Sequence, residues 1–186
     1  LMVALTLEGW IPQRAPIVAS AADITPAIVL SMIGFVAIVT VGPAAYVAGR
    51  FGGDDLSSDP CVTIGYAPAG WRSLTTHLKG QGVTDQELVD AGLSVFSKRG
   101  ELIDVFRDRV MVGIHDSDGQ LVGFSGRSAP GADPSVPKYL NTRTTDAFVK
   151  GAVLFGLAEH RDLIEAGAVP VRVEGWFDAI AVTKAG

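Results

Sequence analysis

Residues 105–141 have the sequence VFRDRVMVGIHDSDGQLVGFSGRSAPGADPSVPKYLN, and the other predicted elements lie on either side of this stretch. Two apolar runs rich in β-branched residues, 110–114 and 121–124, flank the polar segment HDSDGQ. Asp and Gly tolerate left-handed turn geometry, so the pattern predicts a β-hairpin. Guanidinium groups at the rim of a rigid hairpin could bind phosphates. The alternative interpretation is a surface sheet whose charged strand ends are only solvated. The cations at the margins of the two strands are Arg107, Arg109, Arg127 and Lys138.

The length and composition of the chain exclude several classes of protein. Its 186 residues can bury one substantial core, or one domain and part of a second. The net charge of −5 excludes a global basic surface for nucleic acid, so a polyanion site must be a local patch. The single cysteine, Cys61, excludes a disulfide framework and a thiolate zinc site within the chain. No secretory signal is expected, and the ending KAG suggests a piece of a longer protein.

Residues 24–49 carry no charged side chain. A membrane span needs roughly 20 apolar residues, but the dense part, 27–41, is shorter and contains Ser31, Gly34 and Thr40. Thr25 and Pro26 are a good cap and first-turn pair for a helix. We therefore favour a buried helix and keep a membrane anchor as the alternative.

Capping and turn residues predict most of the other elements. Residues 1–23 are expected to be an irregular lead-in, and residues 50–60 a polar loop. One helix should place Trp71, Leu74 and Leu78 on a single face, and a second should begin at the capping box of Thr84 and Glu87. Further strands are predicted at 93–96, 138–140 and 169–173, the last of the buried type, and further helices at 157–166 and 176–184.

Two acids stand at the predicted strand-to-helix turn near the end of the chain. Glu174 follows the strand at 169–173, and Asp178 lies four residues further on in the next helix. Sites in α/β sheets lie at the carboxyl ends of strands, so these carboxylates are candidates to hold a divalent cation. The alternative is that Asp178 is only a favourable charge in the first turn of a helix.

Six short blocks occur in a fixed order along the chain. They are GYAP at 65–68 with Trp71, FRDRVM at 106–111, GFSGR at 123–127, PKYLN at 137–141, FVKG at 148–151 leading to LFGL at 154–157, and VEGWFD at 173–178. In this order and with these gaps, the chain resembles the catalytic core of the bacterial DnaG-type DNA primases. It resembles still more the primase-like Toprim proteins of plasmids and other mobile elements. The match extends from residue 63 to the C-terminus.

The resemblance implies an α+β fold. It predicts the mixed helical and antiparallel-sheet N-terminal subdomain of the primase core, followed by the first strand-helix unit of an α/β Toprim domain. The corresponding division is a lead-in with the apolar helix at 1–60, the subdomain at 61–167, and a truncated start of the Toprim domain at 168–186.

The resemblance also implies an activity. The family joins ribonucleotides on a single-stranded DNA template to make RNA primers, with Mg²⁺ or Mn²⁺ held by Toprim acids. The full-length protein is thus expected to be a cytoplasmic DNA-directed RNA polymerase whose partners are single-stranded DNA, ribonucleoside triphosphates and a replicative helicase. Glu174 matches the Toprim glutamate and Asp178 the acid of the EGxxD motif, as catalytic and metal-binding groups. The residues expected to contact DNA or nucleotide are Arg107, Arg109, Arg127, Lys138, Tyr139, Asn141 and Lys150.

Three departures from the family pattern limit this expectation. The family's zinc ribbon is excluded by the single cysteine, so no zinc is expected. The Asp-x-Asp motif that completes the metal site would lie beyond Gly186, and Trp176 stands where the family usually has Tyr or Pro. We therefore expect this chain to be inactive by itself. The alternatives are a non-catalytic single-stranded-DNA-binding module of a mobile-element protein, and a membrane-anchored variant using residues 27–49.

Overall fold

The computed structural model describes residues 2–7, 64–129 and 131–185 of the chain. The predicted apolar helix at 27–41 and the polar loop at 50–60 lie outside these ranges. Among the residues described, no helix is both long enough and apolar enough to cross a membrane.

The described ranges form a mixed α+β fold with antiparallel sheets, which confirms the predicted fold class. In chain order the elements are β1 (Met2–Leu7), β2 (Ile64–Ala67), α1 (Ser73–Gly80), α2 (Asp85–Asp90), β3 (Ser94–Phe96), β4 (Leu102–Asp104), β5 (Arg109–His115), β6 (Leu121–Ser128), β7 (Tyr139–Asn141), β8 (Leu154–Phe155), α3 (Arg161–Glu165), β9 (Val169–Val173) and α4 (Trp176–Ala185).

The predicted hairpin forms the centre of a four-stranded antiparallel sheet with the order β2-β5-β6-β7. Its turn is closed by the Asp116 carboxylate, which accepts the backbone N–H groups of Asp118 and Gln120 at 2.9 Å. Gly119 supplies the positive φ of 79° that this turn requires. The pairing register shifts by one residue between Ile114 and His115, next to the turn. The hairpin prediction is therefore confirmed, with a bulge that the sequence pattern did not indicate.

Helices α1 and α2 cover one side of this sheet. The predicted capping box is present, because Thr84 N–H donates to Glu87 Oε2 at 2.8 Å and Glu87 N–H donates to Thr84 Oγ1 at 3.3 Å. The prediction for Trp71 is wrong: it precedes α1 and is 62% exposed, so the buried face of that helix depends on residues such as Leu78. The core between the helices and the sheet consists of Leu78, Val83, Leu88, Leu93, Leu102, Phe106, Met111 and Phe124.

A carboxylate from β4 caps α1. Asp104 is 1% exposed and accepts the backbone N–H groups of Leu74 and Thr75, both at 2.8 Å. Thr75 Oγ1 donates to the same carboxylate at 2.6 Å. These bonds satisfy N–H groups that the first turn of a helix cannot pair internally, and they fix α1 against the β3–β4 pair.

A second sheet has the order β8-β1-β9. Strand β1 pairs antiparallel with β8 and parallel with β9. The expected irregular structure is therefore wrong for Met2–Leu7, because two neighbouring strands satisfy the backbone of this segment. The sheet takes one strand from each of the three segments 1–60, 61–167 and 168–186, whose division into domains stays a prediction.

Two predictions for the C-terminal region need correction. The helix expected at 157–166 begins only at Arg161, because Gly156 has a φ of 87° and His160 Nδ1 bonds to its carbonyl at 2.7 Å in a turn. Strand β9 is present but is not of the buried type, since it lies at a sheet edge and Val169 is 65% exposed. The helix predicted at 176–184 is confirmed as α4.

Candidate nucleic-acid and nucleotide site

The central sheet has one closed and one open face. Side chains alternate between the two sides of a strand, so Arg109, Met111 and Phe124 share one face with the helical core. We call this side the closed face. Val110 and Val112 point to the other side, where they pack against Trp176, Phe177 and Ile180 of α4. We call this side the open face, because α4 covers only part of it and a cavity remains beside the helix.

A cavity of about 370 Å³ opens between the open face and the beginning of α4. Its wall combines aromatic and apolar groups with carboxylate, amide and hydroxyl groups, which is the composition of a site that binds an organic ligand and fixes its orientation. The lining residues are Ile114, Ser125, Tyr139, Asn141, Phe148, Gly151, Val153, Phe155, Glu174, Gly175, Trp176 and Asp178.

The two acids singled out in the sequence both line this cavity. Glu174 directly follows β9, Asp178 lies in the first turn of α4, and both side chains are exposed. Carboxylates are preferred ligands of Mg²⁺, which often takes only one or two from the protein and completes its shell with water and substrate phosphates. In the described ranges no group of three His, Cys, Asp or Glu residues is placed to hold a metal ion. The pair therefore fits part of a magnesium shell.

Adjacent strands of the central sheet contribute further polar groups to the cavity wall. Ser125 of β6 and Asn141 of β7 are cross-strand partners, and Ser125 Oγ donates to Asn141 Oδ1 at 2.6 Å. Tyr139 lies two residues before Asn141 on the same face and is 44% exposed. Tyrosine and asparagine at these positions can stack on a base and hydrogen-bond to it.

Two cations stand next to this wall. Arg127 Nη1 donates to the hydroxyl of Tyr139 at 2.5 Å, and the guanidinium carbon lies 5.3 Å from the centre of the Tyr139 ring. Lys138 is exposed, with its ammonium nitrogen 5.9 Å from the same ring centre. The structure therefore brings Arg127, Lys138, Tyr139 and Asn141 to one edge of the sheet.

The other predicted cations lie elsewhere. Arg109 is 3% exposed and donates to the carbonyl groups of Pro137 at 2.8 Å and Gly126 at 3.5 Å. Its expected place at an open rim is wrong, because its position in the register turns it to the closed face. Burial lowers the pKa of Arg109, and the neighbouring Arg107 lowers it further against the opposing effect of Asp108. Its role in binding DNA stays a prediction that this geometry does not support.

Arg107 and Lys150 are also separate from the cavity wall. The Arg107 guanidinium lies 4.3 Å from the centre of the Trp71 ring and donates to the backbone carbonyl of Asp104. Lys150 is exposed next to Gly151, which itself lines the cavity. The proposed contacts of both residues with DNA stay predictions.

Sequence reasoning did not assign the apolar aromatic residues or Ser125 to the site. Phe148, Phe155 and Trp176 form its apolar wall, and Ser125 fixes the amide of Asn141. The aromatic residue types gave no indication, because buried Phe and Trp usually belong to a core. Only the pairing of β6 with β7 reveals that Ser125 is opposite Asn141.

Comparison with known proteins identifies the group to which this chain is similar. Residues 53–161 match the family model described as the DNA primase catalytic core, N-terminal domain. A DNA primase of Synechococcus elongatus is 48% identical over 125 residues, which are 66% of this chain and 18% of that protein. A DNA primase of Deinococcus radiodurans is 42% identical over 147 residues, which are 78% of this chain and 25% of that protein.

Solved primase structures share the fold. A DNA primase domain from Pseudomonas aeruginosa superposes with a TM-score of 0.74 at 35% identity, covering 86% of this chain and 50% of that one. A DnaG primase catalytic domain bound to single-stranded DNA superposes with a TM-score of 0.56 at 34% identity, covering 92% and 46%. The chain thus spans a quarter or less of the two relatives named above and about half of these solved chains. The chain belongs to the family of DNA primase catalytic cores, of which it carries the N-terminal domain.

Proposed function

We propose that the open face binds single-stranded DNA and a ribonucleoside triphosphate, as part of a primase that joins ribonucleotides on a DNA template. In this proposal Arg127 and Lys138 contact phosphates, while Tyr139 and Asn141 contact a base or the incoming nucleotide. One solved neighbour is a DnaG catalytic domain bound to single-stranded DNA. A replicative helicase and a cytoplasmic location belong to the same proposal for the whole protein.

The placement of two opposite charge types around one cavity carries this proposal. Glu174 and Asp178 line the cavity together with Tyr139, and the side chains of Arg127 and Lys138 lie next to the Tyr139 ring. Phosphates are attracted to guanidinium and ammonium groups, whereas a divalent cation is needed to bring phosphates close to carboxylates. The arrangement therefore suits a polyphosphate substrate that reaches the acids through a metal ion.

Glu174 and Asp178 are the proposed metal-binding pair. A bound Mg²⁺ would neutralise the charge that develops on the phosphates during nucleotidyl transfer. We propose β9 and α4 as the first strand and helix of a Toprim domain, in which further acids complete the metal shell. That this chain alone makes no primers stays a prediction, and primer synthesis by this chain with Mg²⁺, nucleotides and single-stranded DNA would contradict it.

Salt-dependent DNA binding tests the proposed function. Neutralised phosphates release counterions, so each lost contact with single-stranded DNA reduces the slope of log affinity against log salt by about 0.7. The combined Arg127→Ala and Lys138→Ala variant should bind a fluorescent single-stranded oligonucleotide about tenfold more weakly at low salt, with a slope reduced by about 1.4. Fluorescence anisotropy at several salt concentrations measures both quantities.

The matched control removes two cations from another part of the chain. Lys98 and Arg99 are exposed in the turn between β3 and β4, so their replacement by alanine changes the net charge by the same amount. This control should retain most of the affinity. If both double variants lost the same affinity for single-stranded DNA, the binding would depend only on net charge, and the proposed site would be refuted.

A further inference from the structure

Phe177 lies between the two acids in sequence but is directed to a different part of the site. It is 4% exposed, and its ring centre lies 4.7 Å from the guanidinium carbon of Arg127. Trp176 stacks on it, with ring centres 3.9 Å apart and an interplanar angle of 24°. A residue of α4 is thereby in direct contact with the cation of β6 that the proposed function assigns to phosphate binding.

Arg127 is held from two directions. The ring of Phe177 lies on one side, and Tyr139 provides both a hydroxyl acceptor at 2.5 Å and a ring centre at 5.3 Å. An arginine stacked on an aromatic face keeps its N–H edges directed outward, where they can bind phosphate. The stacked position also restricts a side chain that otherwise samples many rotamers, so less freedom is lost when a ligand binds.

We infer that Phe177 is a positioning residue that fixes the Arg127 guanidinium for phosphate binding. It links the cation on β6 to α4, the helix that also carries Asp178, so that the DNA contact and the proposed metal ligand keep a constant relative position. Because its side chain is buried, Phe177 would act through Arg127 and not on the substrate itself. This inference rests on the proposed function of Arg127 and adds a residue that the sequence analysis did not single out.

A purely structural role for Phe177 predicts a different result. Phe177 also packs with Val110, Val112 and Ile180, so its replacement is expected to lower stability in either case. Stability alone therefore does not distinguish the two roles. The salt dependence of DNA binding distinguishes the two roles, because its slope is proportional to the number of phosphates that the protein neutralises.

A double-mutant cycle on single-stranded DNA binding tests the inference. The variants are Phe177→Met, Arg127→Ala and their combination, with affinity measured by fluorescence anisotropy at several salt concentrations, below the melting temperature of each variant. Methionine keeps an apolar side chain of similar volume but removes the aromatic face. Phe177→Met should weaken binding about two- to fivefold and reduce the salt slope, with no further effect in the Arg127→Ala background.

Two additional variants complete the experiment. Phe177→Tyr restores a ring face and should recover most of the affinity, whereas Ile180→Val perturbs the same core and should leave the salt slope unchanged. The inference is overturned if Phe177→Met weakens binding equally in both backgrounds, or if Ile180→Val reproduces its effect. If Arg127→Ala weakens binding and Phe177→Met does not, the inference fails while the proposed function stands. If Arg127→Ala leaves binding unchanged, both fail.

Discussion

The two faces of the central sheet use arginine in opposite ways, although Arg109 and Arg127 come from adjacent paired strands. On the closed face, the Arg109 guanidinium is buried and donates to backbone carbonyls of Gly126 and Pro137. On the open face, the Arg127 guanidinium lies between aromatic rings at the edge of the cavity. The guanidinium group of Arg109 thus stabilises the loop that precedes β7, whereas that of Arg127 is available to a ligand.

This difference shows that a cation near a strand end does not by itself indicate a binding site. A buried arginine must have its N–H groups paired, and carbonyl groups of the protein then take the place of phosphate oxygens. A half-buried arginine such as Arg127 keeps N–H groups that can bind an external anion. We therefore expect substitutions on the closed face to lower mainly the stability, and substitutions on the open face to lower mainly the affinity for DNA.

The largest expected effect is on stability, from Arg109→Ala. The change leaves a cavity and removes the donor to the Pro137 carbonyl, so we expect the free energy of unfolding to fall by about 3 kcal/mol. The matched change Arg127→Ala, on the open face, should lower it by about 1 kcal/mol or less and mainly reduce DNA affinity. Urea denaturation of both variants measures this contrast, and equal stability losses would contradict the assignment of the two faces.

A smaller effect is expected from adding one methyl group to the closed face, compared with one added to the cavity wall. On the closed face, a Cβ at Gly126 would lie 2.8 Å from Met111 Sδ and 3.0 Å from Arg109 Cδ. Gly126→Ala should therefore cost about 2 kcal/mol through overpacking. In the cavity wall between β9 and α4, a Cβ at Gly175 would meet Asp178 Oδ2 at an ordinary 3.5 Å, so Gly175→Ala should change stability by less than about 0.5 kcal/mol. Thermal melting of the two variants would reveal an error if Gly175→Ala were the more damaging.

The smallest effect is confined to high pH and concerns the turn that separates Arg107 from Arg109. Asp108 in this turn has a φ of 48° and accepts a hydrogen bond from the Tyr66 hydroxyl. Burial, the hydrogen bond and the negative charge of Asp108 raise the pKa of Tyr66 from 10.0 to about 12. Because the folded state retains this proton longer than the unfolded state, the stabilisation is complete below pH 10 and is lost as pH rises to about 12.

Absorbance titration of the phenolate near 295 nm measures this shift. The folded protein should show one tyrosine that ionises at about pH 12, and Tyr66→Phe should lack this component. The variant should also lose less stability between pH 10 and 12 than the original chain. A titration that is unchanged by Tyr66→Phe would show that Tyr66 is not the shifted group.

Local patterns were sufficient for the elements whose stability depends on neighbouring residues. The capping box of Thr84 and Glu87 and the turn at 116–120 were predicted because their hydrogen bonds lie within a few residues. Elements that depend on distant partners were predicted less well. Strand β1 exists through pairing with β8 and β9, more than 140 residues away in sequence, and no pattern within residues 1–23 indicates these partners.

The candidate site was predicted in part. Glu174 and Asp178 were singled out because a strand-to-helix turn brings residues four apart close together; both line the cavity, and their metal-binding role stays a prediction. Tyr139 and Asn141 line the same cavity, and their roles there stay predictions. Phe177 was not singled out, since its contact with Arg127 joins α4 to a strand about 50 residues earlier.

The hairpin, the capping box of α2 and the resemblance to primase cores could be predicted from the sequence alone, because each depends on local chemistry or fixed spacing. The tertiary structure alone decided which cation faces the cavity. Next to the turn, His115 pairs with Leu121. If this register continued along the hairpin without the shift between Ile114 and His115, Arg109 would pair with Arg127 and both side chains would lie on one face. The one-residue bulge turns them to opposite faces, because side chains alternate along a strand and a shift of one residue reverses every side chain beyond it.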